Sequence, residues 1–283
     1  MKQQDKLSIL CFGDCCGKVG RNALAKAIPE LKEKYSADFV IVNSENATNG
    51  RGCSLSSYRE LIKSGADCLT SGNHFYEQRD VFSSDAPILF EKQIRPLNLA
   101  KDAPLKGSKI FEIKGFKVRV TNLLGRVEIN GAQSNPFTDM DELLEKDEKV
   151  DFDIVDFHAE ATGEKRALAE YLDGRISLFV GTHTHVQTND CQKLNKGTLF
   201  ISDLGMCGLF DSCLGMLKDN VVKKVGFGLP ASFQSPSSGL AQINGIHAVL
   251  FKDKNECKIE LVNIKVNALN TSTIDIKADI TPF

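Results

Sequence analysis

The chain has 283 residues, of which 42% are hydrophobic and 25% charged, with a net charge of −2 and a pI near 6.2. This length suits one large domain or two small ones with a substantial core. The charge balance argues against a broad nucleic-acid surface but leaves room for a nucleotide in a locally positive cleft. No apolar run reaches the length of a membrane span, and nothing after Met1 reads as a secretion signal. Nine cysteines without a CxxC pair read as reduced thiols acting as small hydrophobes, which points to the cytoplasm and away from a zinc–thiolate site.

Leu7 to Phe12 is an apolar run, read as a strand, that ends in Gly13-Asp14-Cys15-Cys16-Gly17. A phosphate-loop reading of these glycines fails. There is no G-x-G-x-x-G, the spacing is short for a Walker A motif, and an Asp in a phosphate cradle would repel its ligand. An Asp at a strand end suits a metal better. A helix is expected from Asn22 to about Tyr35, kinked or split at Pro29. The second strand, Phe39 to Val42, ends in Asn43-Ser44-Glu45-Asn46, and Ser54 is placed to cap a helix from Leu55 to Ser64. Cys68 to Thr70 ends in Ser71-Gly72-Asn73-His74.

From about Arg79 to Gly107, Pro87, Pro96 and Pro104 interrupt the pattern, which reads as an excursion over the strand ends. Ile110–Ile113 and Phe116–Val120 flank Lys114-Gly115 as a hairpin. Gly125 to Asp139 is polar enough for a lid or contact surface, and Asp141 to Lys149 reads as a short charged helix. Asp153 to Phe157 ends in His158-Ala159-Glu160, and Glu164 to Leu172 is an amphipathic helix. Ile176 to Val180 then leads into Gly181-Thr182-His183-Thr184-His185, where the glycine allows a tight turn and both imidazoles can reach one metal or two neighbouring ones. Thr198 to Ile201 is another strand. Ile246–Phe251 and Ile259–Val266 alternate as antiparallel strands and are expected to complete a second sheet, with His247 structural. With no repeat and no linker, residues 1–283 read as a single domain, with a small cap or lid excursion within about 79–140.

Five apolar runs thus end in candidate ligands: Asp14, Glu45 with Asn46, Asn73 with His74, His158, and His183 with His185. Strands alternating with helices imply a mostly parallel sheet, and such sheets gather ligands beyond their carboxyl ends. A nitrogen and oxygen donor set suits iron, manganese or zinc. Seven ligands are too many for one ion but suit two with a bridging carboxylate, the arrangement that drives displacement at phosphorus with an activated hydroxide.

The motifs GDCCGKVGR, VNSENATNGRG, SGNH, DFHAEATGEK, GTHTHVQT and SDLGMCG, spread from Leu7 to the C-terminus, resemble the YmdB-type branch of the calcineurin-like metallophosphoesterases. The wider superfamily opens with Asp-x-His and bridges its metals with an Asp. Here Asp14 lacks the following His and Glu45 stands in the bridging position, which marks the branch. The resemblance implies an α/β fold, a four-layer α-β-β-α sandwich of two mixed sheets flanked by helices. It implies one ion held by Asp14, Glu45, Asn46 and His185, and a second by Glu45, Asn73, His158 and His183. His74 would be the catalytic acid. The implied activity is phosphodiester hydrolysis, favouring 2′,3′-cyclic nucleotides, with iron or manganese as the metal. A homo-oligomer is compatible with this reading. The alternatives are a phosphatase for monoesters and a metal-stabilised regulatory or RNA-processing binding protein. An amidohydrolase-type centre would carry its HxH pair on the first strand, which here ends in Gly-Asp.

Overall fold

The computed structural model describes residues 6–268. The chain opens with β1 (Lys6–Phe12), β2 (Asp14–Cys15), α1 (Gly17–Tyr35), β3 (Phe39–Asn43), α2 (Leu55–Lys63) and β4 (Cys68–Thr70). After a short α3 (Ala86–Leu89) come β5 (Ser108–Ile113), β6 (Phe116–Leu124), α4 (Pro136–Lys146), β7 (Phe152–His158), α5 (Thr162–Leu172) and β8 (Leu178–Thr182). The last stretch holds β9 (Gln192–Lys193), β10 (Leu199–Ile201), β11 (Met206–Leu209), α6 (Lys218–Val221), β12 (Leu240–Phe251) and β13 (Lys258–Asn267).

Two mixed sheets result. One runs β2-β11-β12-β1-β3-β4 with β13 on β12, the other β5-β6-β7-β8-β10-β9. Strand alternation sorts the side chains into layers. Leu10 and Phe12 of β1 join Val19, Leu24, Ile28 and Leu31 of α1 in one buried cluster. Leu7, Ile9 and Cys11 face the other way, into a second cluster with Val118, Val120, Ile154 and Leu178 of the opposite sheet. Val155 and Phe157 point outward from β7 onto Leu168 and Leu172 of α5. The layers are helix, sheet, sheet, helix, as the resemblance implies.

Four expectations are corrected. Helix α1 starts at Gly17, five residues earlier than its apolar pattern suggests, and Pro29 lies inside it without ending it. Pro29 and Ala25, whose carbonyl loses its partner, are both on the exposed face, so water can satisfy that group. Burial of Leu24, Ile28 and Leu31 at about 1.5–3 kcal/mol each outweighs a proline cost of about 3 kcal/mol. Helix α4 starts at Pro136, with Asn135 capping it through Phe137 N, and ends at Lys146. The tail strands β12 and β13 do not complete the second sheet: β12 pairs along β1 from Lys6↔Phe251 to Phe12↔Gly245, in the heart of the first. The 79–107 stretch is no free excursion but is hydrogen-bonded into both sheets, with Asn98 pairing with Leu124 at the end of β6. Leu69 N donates to Lys92 O and Ile94 N to Leu69 O, both at 2.8 Å, and Leu97 N then reaches Asn122 O at 2.7 Å. It therefore skirts the edge of the first sheet and crosses to the second.

Candidate metal centre

The five strand ends lie on two different sheets. Asp14 begins β2 just beyond β1, Glu45 and Asn46 follow β3, and Asn73 and His74 follow β4, all in the first sheet. His158 closes β7 and His183 follows β8 in the second. Both sets open at the same end, and close approach joins them. A Cβ on Gly72 would fall inside the His158 imidazole, so only glycine lets the β4 loop come that near β7.

The loop of His183 and His185 is strained. Both residues adopt positive φ, 107° and 67°, where a side chain other than glycine is disfavoured. Asp203 clasps the loop, accepting from Thr184 N (3.0 Å) and Thr184 Oγ1 (2.8 Å), and is itself held by Lys165 Nζ at 2.7 Å in a buried ion pair. Gly181 is not the turn residue the sequence suggested. It sits within β8 at ordinary φ, and the need for glycine there comes from the Ser202 carbonyl, against which a Cβ would collide.

Seven of the eight residues singled out in the sequence gather into two donor clusters. In the first, His185 Nε2 faces Asn46 Oδ1 at 3.1 Å and Asp14 Oδ1 at 3.8 Å. In the second, His158 Nε2 faces His183 Nδ1 at 3.0 Å, Asn73 Oδ1 at 3.2 Å and Glu45 Oε1 at 3.8 Å. The surrounding hydrogen bonds assign the protons. His185 Nδ1 donates to the Leu214 carbonyl (2.9 Å), so Nε2 carries a lone pair. Asn46 Nδ2 donates to Gly50 O (3.0 Å), which turns its oxygen toward His185. Thr182 Oγ1 gives its proton to Asp156 (2.8 Å) and therefore accepts from His158 Nδ1 (3.0 Å). His183 Nε2 stands 3.1 Å from Glu160 Oε2, an ion-pair contact that keeps this outer nitrogen toward the carboxylate and Nδ1 inward.

With both carboxyls ionised, every inward atom of the two clusters is then an acceptor facing acceptors. Asp14 Oδ1 and Glu45 Oε2 are buried with no hydrogen-bond partner. Ligands about 2.1 Å from one ion at tetrahedral to octahedral angles stand about 3.0–3.4 Å apart, the spacing of the closest pairs here. Histidine, cysteine, aspartate and glutamate alone form no group of three that could hold a metal among the described residues. Each cluster includes an asparagine oxygen. The donor set and its orphaned oxygens fit metal ions.

Burial shifts the titration of these groups. It pushes the Asp14 carboxyl up to about 7, opposed by His185, and raises Glu45 well above the carboxylate range, opposed by the His74 backbone N–H. Burial, helped by neighbouring His183, holds His158 well below the ordinary histidine value, and burial and His185 lower His183 to about 4. Both rings are therefore neutral at pH 7, the form that carries an inward lone pair.

His74 stands apart from the clusters. Its backbone N–H donates to Glu45 Oε1, and its ring Nδ1 lies 3.3 Å from Glu77 Oε1. Among the described residues Nε2 has no partner. His247 is structural: Nδ1 meets Glu260 at 2.8 Å, and Nε2 meets Ser8 Oγ at 2.9 Å.

Four supporting residues escaped the sequence reading: Glu77, Glu160, Thr182 and Asp156. Asp156 offered a signal, being a charged residue inside the apolar run of β7. It is buried and bonded to Asn43 Nδ2 (2.9 Å), Thr70 Oγ1 and Thr182 Oγ1. The others had none, since a glutamate near a histidine in sequence is commonplace, and so is a threonine at a strand end.

Comparison with known proteins gives a consistent family. The YmdB-like protein family model matches residues 10–262. A 2′,3′-cyclic-nucleotide 2′-phosphodiesterase from Bacillus subtilis strain 168 is 38% identical over 264 residues, covering 92% of this chain and 97% of that protein. Among solved structures, one from Mycoplasma pneumoniae described as a novel phosphatase superposes with a TM-score of 0.84 at 36% identity, covering 93% of this chain and 95% of that one. A hypothetical protein from Thermus thermophilus also reaches a TM-score of 0.84, at 35% identity over 92% of this chain and 99% of that one. Matched over nearly its full length in both sequence and fold, the chain belongs to the YmdB-like family and is a hydrolytic phosphoesterase.

Proposed function

We propose that the chain is a binuclear metal-dependent phosphodiesterase that opens a cyclic or small phosphodiester, with a 2′,3′-cyclic nucleotide as the favoured substrate. The observation that carries this reading is the pair of acceptor-only clusters around Asp14 Oδ1 and Glu45 Oε2. Asp14, Glu45, Asn46 and His185 would hold one ion, and Glu45, Asn73, His158 and His183 the other, with iron or manganese preferred over zinc. Bound there, the ions would activate water and neutralise phosphate charge. The name of the Bacillus subtilis relative supports the substrate class. Nine cysteines, all free thiols, support a cytoplasmic setting.

The protein's own groups do the rest. Thr182 and Glu160 fix the rings of His158 and His183, and Leu214 fixes that of His185. Glu45, tied to His74 N, sets the distance between the donor clusters and the acid. Water adds to phosphorus and releases a proton to solvent, the P–O2′ bond breaks, and the imidazolium form of His74 gives its Nε2 proton to the departing 2′ oxygen and regains one from solvent. A 3′-phosphate monoester remains. The 79–140 excursion is read as part of the same single domain.

The test measures metal content and turnover of 2′,3′-cyclic AMP for the purified chain and for Glu45→Ala. The expected outcome is two metal equivalents with turnover in the first and loss of both in the second. Two metals and full turnover in Glu45→Ala would refute the bridging role, and absence of any diester turnover by the metal-loaded chain would refute the activity.

A further inference from the structure

Between β11 and β12 the chain leaves the core as an arm, closed at its root by Phe210 N donating to Leu240 O at 2.9 Å. Its inner part is built into the metal centre. Leu214 O accepts from His185 Nδ1 at 2.9 Å, and Met216 and Ser235 lie over Gly50, beside the ligand loop that follows β3. Leu217 N donates to Gln234 O at 3.0 Å and closes a neck. Beyond that neck, residues 218–226 are helical and bury no side chain at all.

The outer arm pairs flat rings with cations. Phe227 is 71% exposed and Phe233 45% exposed, and Lys224 Nζ stands 4.5 Å above the Phe233 ring. At the root, Lys265 Nζ stands 4.0 Å above the Phe210 ring, itself exposed. Lys218 is neutralised by Asp211. Lys223 has no acidic partner among the described residues. Asp219 offsets one more charge, so the arm carries a net +1, to which Lys265 at the root adds a further cation. Exposed aromatic faces paired with ammonium groups are the chemistry that holds single-stranded nucleic acid. Bases stack on the rings, and phosphates meet the ammonium groups.

The proposed substrate supplies the link. A 2′,3′-cyclic phosphate is what remains at a strand's 3′ end when an RNA 2′-hydroxyl attacks its own phosphodiester and the 5′ oxygen leaves with a proton. The reaction supplying this centre is then transesterifying RNA cleavage, and most such ends are attached to a strand. We infer that the Phe210–Gly239 arm is a platform for single-stranded RNA, and that the enzyme prefers an RNA strand ending in a 2′,3′-cyclic phosphate over the free cyclic mononucleotide. The inference rests on the phosphodiesterase reading above. A whole-molecule charge of −2 does not oppose it, because the contact is confined to one arm.

The experiment compares kcat/KM of the full-length, metal-loaded chain on 2′,3′-cyclic AMP and on a short oligoadenylate ending in the same cyclic phosphate. The expected preference for the oligonucleotide is about tenfold or more, falling with added salt. In Lys223→Glu/Lys224→Glu and in Phe227→Ala the preference should drop toward one. Fluorescence anisotropy with an oligoadenylate bearing a 3′-phosphate reads the platform without turnover, and the same variants should weaken that binding. Equal kcat/KM for both substrates in the unaltered chain, or variants that lose equally on both, would overturn the inference. So would a change of oligomeric state in the variants, which would show that a second copy covers the arm, or retention on anionic phosphatidylglycerol vesicles without oligonucleotide binding. If neither diester is turned over yet the oligonucleotide binds through the arm, the phosphodiesterase reading fails and the platform stands.

Discussion

Glu77 Oε1 lies 3.3 Å from Nδ1 of His74 and 3.4 Å from Nη1 of Arg51. The Arg51 carbonyl in turn accepts from Gln78 Nε2 at 2.7 Å, so the β3 and β4 loops are clasped at the rim of the cleft. This arrangement presents His74 by its Nε2 edge. Burial lowers the His74 pKa, and the Glu77 carboxylate opposes that shift.

His74→Ala is expected to lose about 10²–10⁴-fold on 2′,3′-cyclic AMP, whose leaving alkoxide needs a proton, and much less on bis-nitrophenyl phosphate. Glu77→Ala should show the same leaving-group dependence at about tenfold. The double variant should be no worse than His74→Ala alone, because Glu77 acts only through the ring. Independent, additive losses would show that Glu77 serves the fold instead. Halved metal content in His74→Ala would make that residue a ligand.

Asp14 links the centre to stability. In the metal-free protein its folded pKa of about 7 lies above the ordinary 3.8. Between those values the folded state binds the extra proton, so stability is present at low pH and is lost as the pH rises through about 7. Asp14→Asn cannot ionise and escapes that loss. Without metal it should melt higher than the unaltered chain at pH 8, with the gap closing toward pH 4. Added manganese should reverse the order at pH 8, because only the carboxylate gains from the ion. Thermal melts across pH with and without manganese check this, and a gap that does not change with pH would contradict it.

Thr182 tests the support beneath His158. Its hydroxyl joins Asp156 to His158 Nδ1, and Asn43 Nδ2 adds a third bond at 3.2 Å. Thr182→Val keeps the shape but strands two buried polar atoms, His158 Nδ1 and Asp156 Oδ1, while Asn43 Nδ2 keeps its bond to Asp156. A stability loss of about 1–3 kcal/mol is expected, together with manganese affinity lowered about 10–100-fold. Glu160→Gln retains an acceptor for His183 at a half-exposed site and should weaken affinity less, with no measurable change in melting. Calorimetric titration of both variants with manganese would show whether that order holds.

The strand ends were legible because each closes an apolar run with a polar residue of ligating type, and apolar alternation is a local property. Partner choice between strands is not local. The tail pair β12 and β13 alternates identically whichever sheet receives it, and only packing shows β12 lying against β1. Helix α1 gave no start signal because Cys16 offers no side-chain cap and Gly17 and Gly20 read as loop. Glu77 and Glu160 were invisible as supports for a related reason: their roles depend on which loop they face.

Charge should decide which phosphate esters the centre accepts. In the proposed binuclear centre, two divalent ions against Asp14 and Glu45 would leave roughly +2, or +1 once a hydroxide is present. A phosphodiester, with one negative charge, neutralises that remainder, whereas a monoester dianion exceeds it. Activity on monoesters calls for added cations near the phosphate, and the two arginines of the first ligand motifs, Arg21 and Arg51, are engaged elsewhere. Arg21 holds Glu60 and the Ala47 carbonyl, and Arg51 is tied to Glu77. Glu160 at His183 adds negative charge at the rim. Under matched manganese loading, bis-nitrophenyl phosphate and 2′,3′-cyclic AMP should both outpace nitrophenyl phosphate. In Glu77→Gln, Arg51 loses its ionic partner and becomes available to the phosphate, so the monoester rate should rise relative to the diester rates. Faster hydrolysis of the monoester than of either diester by the unaltered chain would identify a phosphatase. A monoester-to-diester ratio that does not move in Glu77→Gln would show that Arg51 does not reach the phosphate.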